Sequence, residues 1–346
     1  MSRSTRIAVY GATGYTGAQV AAELKRRGYD PVLAGRDAAG LAAVAEQIGG
    51  AETRAAGMDH HETLVGAFDG CEAVLNCVGP FARSAEPVVA AAIACGAHYV
   101  DFAAEQEACL ELFERWDAPA RDAGVAIVPA MGFYGALGDL LASVTTDGLQ
   151  AVDEVVIAYA VDGWVLTAGS RATASEMAGT RRVWRDGSLE KAEGDVRFGT
   201  FDYPSPRGTA PVMEEYPLPE AVIVPRHINT PNVRIVMAAS TLQEILSPDA
   251  PRPSEVSDAR RAETNFVVVA SVRSGTVERR TTLTGNDIYG ITAPIIVDAA
   301  AHLLSDEKER VGVLAPSQAF DARAFLAELH WPGLQVEIAA DQGQAA

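Results

Sequence analysis

Residues 11–17 read Gly-Ala-Thr-Gly-Tyr-Thr-Gly, directly after the apolar run Ile7-Ala8-Val9-Tyr10 and directly before a segment with helical spacing. A strand that turns through three glycines into a helix leaves few folds open. Gly11 permits the tight turn, Gly14 lets the backbone approach a pyrophosphate, and Gly17 lets the helix pack closely on the sheet. The helix start adds free N–H groups and the positive end of the helix dipole. The loop Gly11, Ala12, Thr13, Gly14, Tyr15, Thr16 and Gly17 is therefore expected to cradle a dinucleotide, rather than being a glycine-rich turn with no ligand.

The residues downstream repeat the theme. The pattern predicts strands at 6–10, 31–35, 53–58, 73–78, 98–102 and 125–129, alternating with helices at 17–27, 37–48, 61–68, 84–95 and 105–123. Such alternation predicts βαβ units: an α/β fold, a Rossmann doubly wound parallel sheet. After Gly138 the rhythm changes. Longer half-apolar runs at 153–161, 265–272 and 279–284 flank a proline-rich, loop-like stretch at 200–231, and apolar helices follow at 290–304 and 322–329. This predicts an inserted α+β domain built on a mostly antiparallel sheet. The expected boundaries are 1–135 plus 288–346 for the Rossmann domain and 136–287 for a substrate or dimerisation domain. An exposed strand of the inserted sheet would offer a homodimer contact, and the tail beyond 339 reads as disordered. A length of 346 residues suits two such domains.

Cofactor choice turns on the end of the second strand. NAD-binding folds usually carry an acidic residue there for the ribose hydroxyls. This chain reads Leu33-Ala34-Gly35-Arg36-Asp37. A guanidinium can pair with a 2′-phosphate and stack on adenine, so Arg36 favours NADP(H). The competing reading leaves Arg36 solvated and gives the ribose of NAD to Asp37. Asp59 either lies beside adenine or caps the next helix. Cys77, Val78, Gly79 and Pro80 end the fourth strand, where the nicotinamide ribose is expected, because ligands bind outside the carboxyl ends of the strands.

Composition removes other classes. With 46 acidic against 28 basic residues the net charge is −18, a field that repels nucleic acid and anionic lipid. The longest charge-free stretch, 123–138, is broken by Pro129 and glycines. It is too short to span a bilayer, and the opening apolar run is too short for a signal peptide. The chain reads as cytoplasmic, acting on a small molecule. Cys71, Cys77, Cys95 and Cys109 form no C-x-x-C pair and the six histidines lack metal-ligand spacing, so no metal is expected. The three lysines, Lys25, Lys191 and Lys308, never follow a tyrosine by four residues, which argues against a Tyr-x-x-x-Lys mechanism and a lysine Schiff base.

Taken together, the opening at 11–17, Ala34-Gly35-Arg36-Asp37, Asn76-Cys77-Val78-Gly79-Pro80-Phe81, Tyr99-Val100-Asp101-Phe102-Ala103-Ala104-Glu105 and Gly312-Val313-Leu314-Ala315-Pro316 resemble the saccharopine dehydrogenase-like oxidoreductases. That group includes saccharopine reductases and the trans-acting enoyl reductases of lipid and polyketide pathways. The resemblance implies a Rossmann domain closed by C-terminal helices, with a sheet domain inserted between. Ala104 departs from the pattern, since such proteins commonly carry glycine before the glutamate.

Candidate chemistry lies at strand ends. Asp101 and Glu105 could hold a protonated imine or orient a substrate amine; the bland alternative is a local, capping-box-like pair. Tyr134 offers a phenol as proton donor, or is an aromatic plug. Phe81, Gly132 and Phe133 are expected to line the substrate, and Arg171 to clamp a carboxylate or phosphate. The expected reaction is hydride transfer from NADPH to a C=N or activated C=C bond of a small metabolite in a cleft between domains. Two alternatives are a non-catalytic NADP(H)-sensing regulator and an NAD-linked opine-type synthase, the latter opposed by Arg36.

Overall fold

The computed structural model describes residues 5–177, 181–247, 249–251, 255–305 and 310–338. The chain forms two compact units: 1–103, 107–133 and 292–314 make the first, and 104–106, 134–291 and 315–346 the second.

The first unit alternates β1 (Arg6–Tyr10), α1 (Tyr15–Arg26), β2 (Asp30–Gly35), α2 (Ala38–Gln47), β3 (Glu52–Ala55), α3 (His61–Phe68), β4 (Ala73–Asn76), α4 (Phe81–Ala94), β5 (His98–Asp101), α5 (Gln106–Asp122) and β6 (Ala126–Val128). All neighbouring strands pair in parallel. The order is β15-β6-β5-β4-β1-β2-β3, with β15 (Gly312–Val313) arriving late in the chain. Every residue of β4 and of β6 is buried, as expected of a parallel sheet covered on both faces. Helix α1 turns Gly17, Val20, Ala21 and Leu24 inward and ends in Lys25 and Arg26, cations that suit a helix C-terminus. Helix α11 (Thr292–Leu304) packs on α1, and Arg27 pairs with its Asp298.

The second unit contains α6 (Ala136–Thr146), β7 (Glu154–Asp162), α7 (Ala168–Met177), β8 (Arg182–Arg185), β9 (Ser188–Lys191), β10 (Phe198–Asp202), β11 (Thr209–Met213), α8 (Glu220–Ile223), β12 (Val233–Ala238), α9 (Ala239–Leu246), α10 (Asp258–Ala262), β13 (Asn265–Ser274), β14 (Val277–Asn286), α12 (Pro316–Ala319), α13 (Ala322–Glu328) and β16 (Gln335–Ile338). Its sheet runs β10-β11-β12-β7-β13-β14-β16, with β8 and β9 appended at β12. Among the described residues only the β7–β12 pair is parallel, so the sheet is mixed with a mostly antiparallel character. Val156, Ala158, Ala160, Val212, Val236, Ala238 and Val269 form an apolar cluster within it, and α6 packs along β13 and β14.

The structure departs from the sequence reading in several places. Residues 315–338 join the second unit, β16 pairing with β14, whereas the sequence reading gave the whole of 288–346 to the first. An apolar helix shows that it needs a partner but not which sheet supplies it. The stretch read as loop at 200–231 holds the β10–β11 hairpin and α8; its prolines flank the strands instead of breaking them. Helix α4 begins at Phe81, not at 84. The tail read as disordered lies outside the described residues.

Candidate functional site

The first unit places the glycine turn at the point where the strand order reverses, between β1 and β4, the position where doubly wound sheets bind ligands. Gly11 sits at φ +88°, and a Cβ on it would stand 2.5 Å from Cγ2 of Val78 and 3.1 Å from the Cys77 carbonyl carbon. A Cβ on Gly17 would stand 2.2 Å from the Gly11 carbonyl oxygen. The first glycine therefore keeps the β1 and β4 turns together, and the third seats α1 on the first. Gly14 precedes α1 without a side-chain cap, so the helix start is left to its backbone. Ala12 is buried, Thr13 exposed, and Tyr15 and Thr16 half-buried.

Arg36 is exposed at the end of β2 and makes no side-chain hydrogen bond or ion pair among the described residues. Asp37 caps α2 by accepting from the Gly40 N–H at 3.0 Å. Burial pushes the Tyr10 phenol up, while the charges of Arg36 and Asp59 act on it with opposite sign, which places both near the Tyr10 end of β1. A tightly packed glycine turn that leaves the helix start to its backbone N–H groups, with an exposed guanidinium at the end of the next strand, fits a phosphate-rich dinucleotide.

Beside this cradle, the ends of β4 and β5 share a buried polar network. Asn76 donates to Ser84 and to the Tyr99 hydroxyl, each at 3.0 Å, and accepts from the Val78 N–H at 3.1 Å. Tyr99 donates to Asp101 at 2.7 Å. Asp101 also accepts from the N–H groups of Ala103 and Ala130, both at 2.9 Å. Burial raises the Asp101 carboxyl while those three hydrogen bonds pull it down. Burial, with the Asp101 charge, raises the Cys77 thiol. Asp101 has no exposed surface and spends both oxygens inside the chain, fixing the loops after β5 and β6 rather than capping a helix. Gly79–Pro80 is cis. Phe81 opens α4 and meets Phe102 edge-on at 5.1 Å. A Cβ on Gly132 would stand 2.7 Å from Cβ of Phe102, and the Phe133 N–H reaches Thr292 Oγ at 3.4 Å.

The second unit holds Glu105, Tyr134 and Arg171. Glu105 is almost fully buried; it accepts from the Ala104 N–H at 3.0 Å and from Thr173 Oγ at 3.2 Å. Arg171 is exposed on α7. Tyr134 packs edge-on against Tyr159 at 5.0 Å and tilted against Trp164 at 5.8 Å. The structure thus gathers Gly11–Gly17, Cys77–Phe81, Asp101, Gly132 and Phe133 in one unit, with Glu105, Tyr134 and Arg171 in the other. Sequence reasoning missed two groups: the Asn76–Tyr99 pair and Glu220. For the first, the signal was an asparagine ending β4 in register with Asp101 on β5, with Tyr99 two residues before Asp101 and so on the same face. Among the described residues no cluster of three or more His, Cys, Asp or Glu is placed to hold a metal ion, and no helix is long and apolar enough to cross a membrane.

Residues 7–128 match the family model of the saccharopine dehydrogenase NADP binding domain. A Mycobacterium tuberculosis (strain ATCC 25618 / H37Rv) protein provisionally named a trans-acting enoyl reductase is 35% identical over 144 residues, which is 40% of this chain and 34% of that protein. The trans-acting enoyl reductase of Mycobacterium ulcerans (strain Agy99) is 31% identical over the same shares. The chain thus spans about a third of the length of these curated relatives. Among solved structures, the apo saccharopine dehydrogenase (L-Glu forming) of Saccharomyces cerevisiae matches with a TM-score of 0.66 at 13% identity, covering 97% of this chain and 100% of that one. A meso-DAPDH mutant with DAP from Clostridium tetani E88 matches at 0.53, also at 13% identity, covering 94% and 97%. At such identities the likeness is one of fold: the chain has the saccharopine dehydrogenase fold.

Proposed function

Residues 7–128 being a saccharopine dehydrogenase-type NADP-binding domain, we propose that the chain is an NADP(H)-dependent oxidoreductase that delivers hydride to a C=N or activated C=C bond of a small metabolite. The observation that carries this reading is the domain match, with Arg36 standing exposed where the second strand ends. The enoyl reductase names of the mycobacterial relatives support reduction of a C=C bond.

When bound, NADPH supplies hydride at its nicotinamide ring. The chain's own residues do the rest. Gly11, Ala12, Thr13, Gly14, Tyr15, Thr16 and Gly17 would hold the pyrophosphate on backbone N–H groups, Arg36 would pair with the 2′-phosphate, and Asp59 would serve the adenine end. Cys77, Val78, Gly79 and Pro80 would line the nicotinamide ribose, in a turn held by the Asn76 amide, which accepts from the Val78 N–H. In the first unit, Phe81, Gly132 and Phe133 would give the acceptor an apolar wall; in the second, exposed Arg171 is the candidate for an anionic group. Asp101 positions the loops around them, while Glu105 answers a cationic nitrogen. Reduction adds one hydride and one proton, and Tyr134 holds that proton on its phenol.

The test is calorimetric titration with NADPH and NADH, on the wild type and on Arg36→Ala, followed by NADPH oxidation with panels of imines and enoyl thioesters. One charge-assisted pair contributes on the order of 1–3 kcal/mol. NADPH affinity is therefore expected to fall roughly 10- to 100-fold in Arg36→Ala, with NADH unchanged. Equal loss for both cofactors, or no turnover across both panels, would count against the proposal.

A further inference from the structure

Glu220 opens α8 inside the second unit with no exposed surface. One oxygen, Oε1, accepts from the Gly135 N–H at 2.9 Å and from the Tyr159 hydroxyl. The other, Oε2, is buried and has no hydrogen-bond partner among the described residues. The approach is tight: a Cβ on Gly138 would stand 2.6 Å from the Tyr159 oxygen and 2.8 Å from Oε1. Gly135, at φ +87°, precedes α6 with no side-chain cap of its own, so the Glu220 carboxyl serves that helix start. A carboxyl kept only as a helix cap does best ionised. This one is different, because burial pushes it up to about 7, against hydrogen bonds from Tyr159, the Gly135 N–H and its own N–H, and with the Asp139 charge assisting. With both donors on Oε1, the proton of the neutral acid belongs on Oε2.

Tyr134 is bonded directly to Gly135, and its ring rests on that of Tyr159. Burial holds its phenol far above the ordinary range, and the nearby Tyr216, Tyr289 and Glu220 reinforce this. We propose that Glu220 is a positioning residue for Tyr134: it fixes the peptide after Tyr134 and the Tyr159 phenol beside it, and its charge governs how readily Tyr134 gives up a proton. This rests on the reading of Tyr134 as proton donor. Beside a neutral carboxyl, the departing proton leaves a single buried anion; beside a carboxylate it would leave two, which oppose each other. The charged groups on elements packed against α8 are Asp139 on α6, Arg182 and Arg185 on β8, Arg234 on β12 and Arg226 in the turn 224–226. Of these, Asp139 is the one whose charge acts on Glu220. Asp139 is itself engaged by His227 at 2.6 Å and by the Ser317 N–H at 2.7 Å; Arg185 is bound to Glu215 and Arg234 to Glu214.

Glu220→Gln keeps the acceptor for Gly135 and Tyr159 but cannot ionise. Three readouts on the full-length protein test the proposal. In difference infrared spectra, the wild type should show a protonated-carboxyl stretch at about pH 6 that is gone by about pH 9 and missing in E220Q. With ring-labelled tyrosine, the Tyr134 resonance, assigned through Tyr134→Phe, should titrate with a midpoint near 7 in the wild type and stay flat in E220Q. Turnover of a substrate from either panel should fall about tenfold between about pH 6 and pH 8.5 in the wild type but less than about twofold in E220Q. A Tyr134 resonance that ignores pH, or titrates equally in E220Q, overturns the coupling. A coupled resonance in a protein that reduces neither panel upholds the hold of Glu220 on Tyr134 and defeats the donor role.

Discussion

Asp101 and Glu220 are both carboxyls without exposed surface, and the chain treats them in opposite ways. Asp101 receives three donors spread over both oxygens, which offsets much of the cost of burying its charge. Glu220 receives two on one oxygen and leaves the other empty, and its carboxyl sits near 7. Against an unfolded value near 4.3, that difference is linked to stability. Below about pH 4 both states hold the proton, and the stabilising contribution is fully present. Between there and about pH 7 the native state alone holds it, so stability falls as pH rises, by on the order of 3 kcal/mol in total. Urea unfolding of the wild type and Glu220→Gln, followed from about pH 5 to pH 8, should show the wild type losing most of that amount relative to the variant. Parallel curves would mean that Glu220 is ionised throughout.

Among the elements, β1-α1-β2 was legible because each piece announces itself: a buried apolar run, three glycines, then Val20, Ala21 and Leu24 on one helix face. The parallel sheet followed from repetition of that unit. The β10–β11 hairpin and the return of β16 were not legible, since short strands among prolines or after a terminal helix carry too few residues to show a period. Glu220 was hidden for a related reason. It stands in Tyr216-Pro217-Leu218-Pro219-Glu220, where an acid after proline reads as an ordinary helix start, and only the fold reveals that its neighbours are Gly135 and Tyr159. Glycines separate the local from the tertiary signal in the same way. In α1, Gly17→Ala drives a methyl into the backbone of Gly11, and overpacking of this kind costs about 1–3 kcal/mol. In α3, Gly66 faces open space with nothing within 4 Å, so Gly66→Ala gains helix propensity, about 0.5–1 kcal/mol. Thermal unfolding should therefore move in opposite directions for the two variants, with NADPH affinity falling at least tenfold only for Gly17→Ala. A destabilised Gly66→Ala, or a Gly17→Ala that binds NADPH normally, would contradict this reading of the turn.

For the whole molecule, the net charge of −18 opposes every anionic ligand at long range, while the selectivity proposed for NADP(H) rests on one exposed cation, Arg36. These two effects respond differently to salt. The overall repulsion acts on NADPH and NADH alike, save for the extra phosphate, and is screened as the Debye length shrinks from about 30 Å at 0.01 M to about 10 Å at 0.1 M. The Arg36–phosphate pair is short-ranged but solvent-exposed, and exposed pairs lose strength as ionic strength rises. Raising salt from about 0.02 M to 0.5 M should thus relieve the common repulsion for both cofactors while eroding the preference for NADPH over NADH several-fold. In Arg36→Ala the ratio of the two affinities should drift the other way, because only the repulsion of the 2′-phosphate remains to be screened. Dissociation constants for both cofactors across that salt series decide the matter. A wild-type ratio that holds constant would mean that the 2′-phosphate is gripped by groups away from solvent, and that Arg36 is a bystander at the rim.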